Sequence, residues 1–282
     1  MVRHLSREPI CSVVIPAHNE SATIRRLLTA LAGAPKGEVD VVVVANGCTD
    51  DTAGVARSFA DQIRLRVLEV GTASKSEAMN RADAVTTALP RAYVDADVVV
   101  TPRALQAVCS ELHGNSQTLA ARPPISYQTS RASIPVRAFY RARSRTPSLM
   151  NSLWGAGFYA VSLAGRQRWQ SFPTDIADDA YVDMQFGQTE VKVIATDPVL
   201  VTPPLTTGSL VRTLRRVYRV GRQRGSAGRR SSLATLKQVV FANMNRPAHL
   251  IDAAIYICIA VVARLSPTLQ AEGTWERDAT TR

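Results

Sequence analysis

Four consecutive valines, Val41-Val42-Val43-Val44, constrain the fold more than any other feature of the chain. Successive side chains of a strand point to opposite faces, so this run puts valine on both faces and requires that both be covered. Similar apolar runs predict strands at 11–16, 39–45, 65–70 and 91–94, and helical periodicity fills 21–31, 51–59 and 76–89 between them. Strand and helix alternating in this order predict an α/β fold, a mixed and mostly parallel sheet flanked by helices. Ligands of such sheets bind beyond the carboxyl ends of the strands. The loops there are Ala17-His18-Asn19-Glu20, Asn46-Gly47-Cys48-Thr49-Asp50, the stretch 71–75 and Asp95-Ala96-Asp97, all polar or acidic.

The second half is less regular: it holds Gly155-Ala156-Gly157, an acidic cluster at 175–183 and a last strand near 191–195. A chain of 282 residues suits one large domain with an appendage, and the composition changes abruptly after Pro203-Pro204. We therefore expect a domain at 1–204 and a helical extension at 205–282.

Charge marks that extension. Residues 198–251 contain no Asp or Glu but ten basic residues: Arg212, Arg215, Arg216, Arg219, Arg222, Arg224, Arg229, Arg230, Lys237 and Arg246. They carry +10 of the net +11. Cys11, Cys48, Cys109 and Cys258 are far apart, which indicates neither a disulfide framework nor a zinc site and suits a reducing, cytoplasmic setting. Residues 1–9 lack the apolar core of a signal peptide.

Asp95-Ala96-Asp97 follows the strand end Ala92-Tyr93-Val94. Residues i and i+2 of an extended segment face the same side, so both carboxylates can approach one hard cation, Mn²⁺ or Mg²⁺, which can bridge a diphosphate. Asp-x-Asp also occurs by chance as a solvated turn, so neighbouring motifs matter. Lys75 precedes a helix whose N-terminus favours an anion, and it can balance phosphate charge or be merely solvated.

The sequence resembles the family-2 glycosyltransferases of GT-A fold. The features that carry this are Val13-Val14-Ile15-Pro16-Ala17-His18-Asn19-Glu20, Val44-Ala45-Asn46-Gly47-Cys48-Thr49-Asp50-Asp51-Thr52, the helix start 75–82, Tyr93-Val94-Asp95-Ala96-Asp97 and the pair Asp178-Asp179, in the family's order. The resemblance implies a nucleotide-sugar site in about 1–100 and an acceptor site in 101–204. It assigns Ala17, Asn19, Glu20, Asn46, Lys75 and Asp95 to the donor, a UDP-, GDP- or dTDP-sugar. Asp97 becomes the direct metal ligand, with Asp95 acting as a second ligand or through ribose or water. Many members carry Asp where this chain has Ala45, so the base is left open.

An inverting transfer needs a base for the acceptor hydroxyl. The resemblance gives that role to Asp179, with Asp178 beside it; two adjacent carboxylates also disfavour each other's ionisation. The first helical turn is the competing explanation for acids here, and we assign Asp175 and Asp183 to it. Gly155-Ala156-Gly157 is expected to be a close-approach strand start beside the acceptor, where Trp154 stacks on a sugar or fills the core; His18 is expected to be structural or peripheral rather than a ligand.

Read as a helix, 210–224 places its arginines on one face, which suits an anionic membrane surface or a polyanionic acceptor. The expectation is peripheral membrane contact through Arg212 to Arg230, on the inner face of the cell membrane. The acceptor is then a glycan, a lipid-linked sugar or a small molecule. Arg219 or Arg222 is a candidate for the donor diphosphate. The apolar run 253–263 is bracketed by Asp252 and Arg264 and too short to span a bilayer, so a buried or interfacial helix is expected. The alternatives are a nucleotidyltransferase, which needs a glycine-rich basic loop where Ala17-His18-Asn19-Glu20 stands, and a nucleic-acid-binding protein, which leaves the strand-end loops unexplained.

Overall fold

The computed structural model describes residues 8–174, 176–222 and 226–265, without the side chains of 216, 217, 219–222 and 226–232. The elements in chain order are β1 (Cys11–Ala17), α1 (Ile24–Leu31), β2 (Val39–Asn46), α2 (Thr52–Arg57), β3 (Arg64–Val70), α3 (Lys75–Val85), β4 (Arg91–Val94), α4 (Pro102–Gly114), β5 (Ala120–Arg122) and β6 (Ile125–Tyr127). They continue with α5 (Ile134–Ser144), α6 (Pro147–Met150), β7 (Phe158–Val161), α7 (Leu163–Arg166), α8 (Asp178–Asp183), β8 (Val191–Val193), β9 (Val199–Val201), α9 (Thr207–Arg222), α10 (Ser226–Ala242) and α11 (Pro247–Leu265).

Two compact units result. The first comprises Met1–Ser126 and Leu153–Val201, the second Tyr127–Ser152 and Thr202–Arg282. Division by chain order at 204 differs in one respect: α5 and α6 go with the C-terminal helices, because α5 packs on α11.

In the first unit a seven-stranded sheet runs β3-β2-β1-β4-β7-β5-β8. β1 to β4 are parallel, β7 is antiparallel to both β4 and β5, and β5 runs parallel to β8. The sheet is thus mixed and mostly parallel, as the valine run requires. Val41 and Val43 join Val13, Ile15, Leu27, Leu28 and Leu105 on one face. Val42 and Val44 join Val14, Met79, Tyr93 and Tyr159 on the other. Each buried valine contributes about 1.5–3 kcal/mol, so neither face can be left wet.

Several expectations are adjusted. α3 stops at Val85 rather than 89, with Thr86 extended; Pro90 disfavours a helical conformation in the residue before it. Asp183 is the last residue of α8, not part of its first turn, and accepts a hydrogen bond from the Leu153 N–H at 2.8 Å. Asp175 and the side chains of Arg216, Arg219, Arg222, Arg224, Arg229 and Arg230 lie outside the described residues. The apolar run 253–263 sits inside a longer helix than expected: α11 has 19 residues and is long and apolar enough, by length and composition, to cross a membrane.

In the second unit α11 is fixed to α5. Phe139 stacks on Tyr256 at 4.3 Å between ring centroids. Asp252 accepts hydrogen bonds from Arg141 Nε at 3.0 Å and Nη2 at 2.5 Å, and from Arg145 Nη1 at 2.8 Å. Burial alone would raise the Asp252 carboxyl, but these two guanidinium groups more than offset it and hold it below the usual carboxylate range. A depressed carboxylate stabilises the fold above its ordinary pKa and loses that contribution as pH falls through the folded value. Asp252→Asn is therefore expected to destabilise the second unit by about 2 kcal/mol at pH 7, a figure kept small because both arginines reach solvent. In urea unfolding at several pH values, the gap between variant and parent should close as the solution is acidified below about pH 4.

Candidate active site

The site lies in the first unit, where the carboxyl ends of β1, β2 and β4 meet the start of α3 and of α8. Ser74 caps α3, accepting from the Glu77 N–H, and this fixes Lys75 as the first helical residue. The Lys75 ammonium lies between two carboxylates, 2.6 Å from Asp95 Oδ1 and 2.7 Å from Asp178 Oδ1. Burial would lower its pKa, but Asp178, Asp95 and Asp179 together raise it well above the ordinary lysine value, so it remains an ammonium.

Asp178 is buried and both its oxygens are engaged, the second accepting from Tyr159 OH at 3.1 Å. Tyr159 in turn stacks on Tyr93 at 5.0 Å, its register partner across the β4–β7 ladder. Tyr93 OH donates to Asp83, which also pairs with Arg91 and Arg166. Sequence reasoning missed Tyr93, Tyr159 and this buried Asp83 network. The one signal was an aspartate on α3, two turns beyond Lys75.

Asp179 sits beside Asp178 with Oδ2 accepting from the Gly155 N–H at 2.7 Å and Oδ1 from the Ala180 N–H at 2.7 Å. Its carboxyl is pushed up to about 6, first by desolvation and then by the Asp178 charge, against the opposing pull of Lys75. Gly155 and Gly157 both have positive φ, 75° and 64°, which favour glycine. The Gly157 carbonyl accepts from the Asp95 N–H at 2.8 Å, and a Cβ at Gly157 would stand 2.5 Å from Val98 Cγ1. The glycine pair therefore holds the β4 loop on one side and Asp179 on the other. Trp154 beside it is half-buried.

Asp97 is exposed at the end of the β4 loop. The protein mass behind it and the charges of Asp95 and Glu20 push its carboxyl upward, and Lys75 only partly opposes them. Among the described residues no group of three or more His, Cys, Asp or Glu is arranged to hold a metal by protein alone. Two hard carboxylates one residue apart, Asp95 and Asp97, with Glu20 near, nevertheless fit Mn²⁺ or Mg²⁺, which bind through one or two carboxylates and complete their shell with water and phosphate oxygens.

The first two loops brace each other. Asn19, at φ 54°, accepts through Oδ1 from the Thr49 N–H at 2.6 Å and the Asp50 N–H at 3.2 Å. The Glu20 N–H donates to Thr52 Oγ1 at 2.7 Å, and Cys48 Sγ donates to the buried Ala17 carbonyl at 3.4 Å. His18 Nδ1 lies 2.6 Å from the Asn46 carbonyl oxygen, the structural role expected of it. The Asn46 amide is buried with neither polar atom hydrogen-bonded. Such an amide costs about 1–3 kcal/mol, and a partner at the end of β2 would offset it. A small pocket lined by Lys75, Tyr93, Asp95, Gly157, Asp178 and Asp179 joins the predicted donor and base residues. Ala17, Asn19, Glu20 and Asn46 form the neighbouring loop pair.

Similarity to known proteins agrees with this geometry. The chain is 35% identical over 109 residues to validoxylamine A glucosyltransferase of Streptomyces hygroscopicus subsp. limoneus, covering 36% of this chain and 24% of that one. It is 30% identical over 92 residues to the uncharacterized glycosyltransferase YibD of Escherichia coli K12, covering 32% and 27%. The match thus spans about a quarter of each relative's length. Among solved structures, the fold matches a mannosyltransferase from Pyrobaculum calidifontis in complex with GDP-Man and Mn²⁺, with a TM-score of 0.62 at 18% identity over 93% of this chain and 77% of that one. It also matches S. aureus TarS 1–349 in complex with UDP, with a TM-score of 0.53 at 15% identity over 92% and 93%. The model of glycosyl transferase family 2 matches residues 12–168, more than half of the chain, and the protein belongs to that family.

Proposed function

We propose that the protein is an inverting glycosyltransferase that moves a sugar from a nucleotide-sugar donor to an acceptor hydroxyl with a divalent metal bound. The observation that carries this is the Lys75 bridge, which sets the candidate metal loop and the candidate base side by side in one pocket. The relatives support the donor class: one neighbour of the fold is in complex with GDP-Man and Mn²⁺, another with UDP.

In this reading the loops of β1 and β2, with Ala17, Asn19, Glu20 and Asn46, receive the base and ribose. Lys75 lies toward the diphosphate. Asp97 and Asp95 would hold Mn²⁺ or Mg²⁺, which would supply positive charge against the charge growing on the leaving nucleoside diphosphate. The acceptor oxygen attacks the anomeric carbon from the face opposite the diphosphate. As that C–O bond forms, the bond to the diphosphate oxygen breaks and the acceptor proton passes to Asp179. A carboxyl near 6 suits this work, being ionised at neutral pH yet more basic than an ordinary aspartate. Asp178 serves as the anchor of Lys75, because its two oxygens are already committed. Trp154, Gly155 and Gly157 flank the acceptor.

The acceptor class that fits the basic segment is a glycan or lipid-linked sugar at the inner face of the cell membrane, with peripheral contact through residues 212–230. The free cysteines fit a cytoplasmic location.

Calorimetric titration with UDP-, GDP- and dTDP-sugars is expected to show binding of one of them that strengthens with Mn²⁺; binding of none would overturn the reading. Chelation with EDTA should abolish transfer, Mn²⁺ or Mg²⁺ should restore it, and Asp97→Ala should lose about 100-fold or more in kcat/KM. Asp179→Asn should keep donor affinity while transfer drops by about 10³-fold. In the parent, kcat/KM should fall as pH drops below about 6, because the base must be unprotonated to act. Full transfer by Asp179→Asn would remove the base assignment.

A further inference from the structure

Among the described residues, the second unit carries an exposed apolar face. Along α11 one side is buried, including Ala253, Tyr256, Ala260 and Ala263. The other side exposes Leu250, Ile251, Cys258, Val261, Val262 and Leu265, at offsets that return to one stripe along the helix. Ile251 is 62% exposed and Leu265 78%. The chain just before α11 adds Phe241, 81% exposed, and Met244. A contiguous apolar stripe of this length on a soluble surface marks an interaction site.

We propose that this face of α11, with Phe241 and Met244, lies in the plane of an anionic lipid bilayer and inserts its apolar side chains among the headgroups and upper acyl chains. Two occupancies compete with it, a bilayer-spanning helix and a second protein copy.

Spanning is opposed by what α11 is bound to. Asp252 near its start pairs with Arg141 and Arg145, Tyr256 stacks on Phe139, and the Arg264 guanidinium lies 3.8 Å over the Tyr218 ring near its end. One side of α11 is therefore fixed to α5 and α9 over most of its length. Both carry arginines, among them Arg137, Arg141, Arg143 and Arg212. Crossing the bilayer would take these charges into the hydrocarbon, whereas lying flat leaves them outside it.

Charge opposes a second copy. Residues 198–251, which lead into the stripe, contain no acidic residue, and Lys237 and Arg246 are exposed close to Phe241 and Met244. Two copies meeting through such a face would bring like charges together, while anionic headgroups complement them. Among the described residues, the resulting surface, apolar with a basic border and without an exposed carboxylate, has the chemistry of an interfacial helix. This deepens the membrane part of the reading above by naming the inserting element, and it stands independently of the sugar chemistry.

The test is co-sedimentation of the full chain with vesicles of phosphatidylcholine alone and of phosphatidylcholine mixed with phosphatidylserine. Binding to the anionic vesicles, weakened by salt, is expected. Ile251→Ser combined with Val262→Ser should weaken it by about tenfold or more, with unfolding temperature and donor binding unchanged, since both side chains face solvent. Tryptophan at position 251, as Ile251→Trp, should be quenched by brominated acyl chains in those vesicles. Equal binding to both vesicle types would overturn the anionic surface, and a serine variant that binds like the parent while Lys237→Glu with Arg246→Glu does not would overturn insertion. So would a parent that elutes as a dimer and becomes monomeric in the serine variant.

Discussion

The site depends on a single, partly buried ammonium. Lys75 is the only described cation within reach of both Asp95 and Asp178, and it joins a loop after β4 to a helix that begins more than eighty residues later. A carboxylate as buried as Asp178 is costly without a partner, because desolvation of an unpaired charge outweighs what packing returns. Lys75 offsets that cost on one oxygen and Tyr159 on the other. Behind Tyr159 stand Tyr93 and the Asp83, Arg91 and Arg166 network, so the anchor is itself held from the sheet. Asp179 escapes this saturation. Its oxygens take only backbone N–H groups, and it keeps a raised proton affinity within one residue of a fully paired neighbour.

Glycine makes the close approach of these segments possible. Gly157 has no room for a Cβ against Val98, and its carbonyl holds the Asp95 backbone. Gly47 at φ 58° brings the β2 loop so near the stretch before α3 that a Cβ would stand 2.7 Å from the Ala73 nitrogen. Both glycines lie where two loops must touch, so the positive φ and the missing side chain are needed together.

Much of this was legible from the chain alone. The valine run and its flanking helices placed β1, β2, β3 and β4 within about a residue, because long, fully buried strands leave continuous apolar signals. The strand start expected at Gly155-Ala156-Gly157 is β7, which begins at Phe158, whereas β5, β6 and β9 were not foreseen. Segments of three residues such as Ala120-Ala121-Arg122 carry no periodicity, and pairing, of β5 with β7 and β8 and of β6 with β9, not their own composition, makes them strands. The same holds at the site. Lys75, Asp95, Asp97 and Asp179 were visible through motif order, whereas Tyr159 acquires its partner only when β7 folds beside β4. The extent of α11 was missed for a different reason. Asp252 reads as the charged border of an apolar run, yet it lies within the helix because Arg141 and Arg145 on another segment neutralise it.

The balance of charge at the β4 loop carries the last step. Glu20, Asp95, Asp97, Asp178 and Asp179 are five carboxylates, and Lys75 is the ammonium set among them. Desolvation first, and part of that excess second, raise the carboxyls of Asp97 and Asp179. A diphosphate brings further negative charge, so it cannot enter such a pocket on hydrogen bonds alone. In the proposed reading, binding of donor and cation is then coupled: the cation would relieve the repulsion among Asp95, Asp97 and Glu20 and would give the diphosphate its counter-charge. In the proposed transfer the same excess has a second effect. Once the diphosphate leaves with the sugar bond broken, the acceptor proton settles on Asp179, the carboxylate whose affinity for it the neighbouring charges have raised. In that reading the mutual repulsion of these carboxylates supports both binding of the metal and capture of the proton.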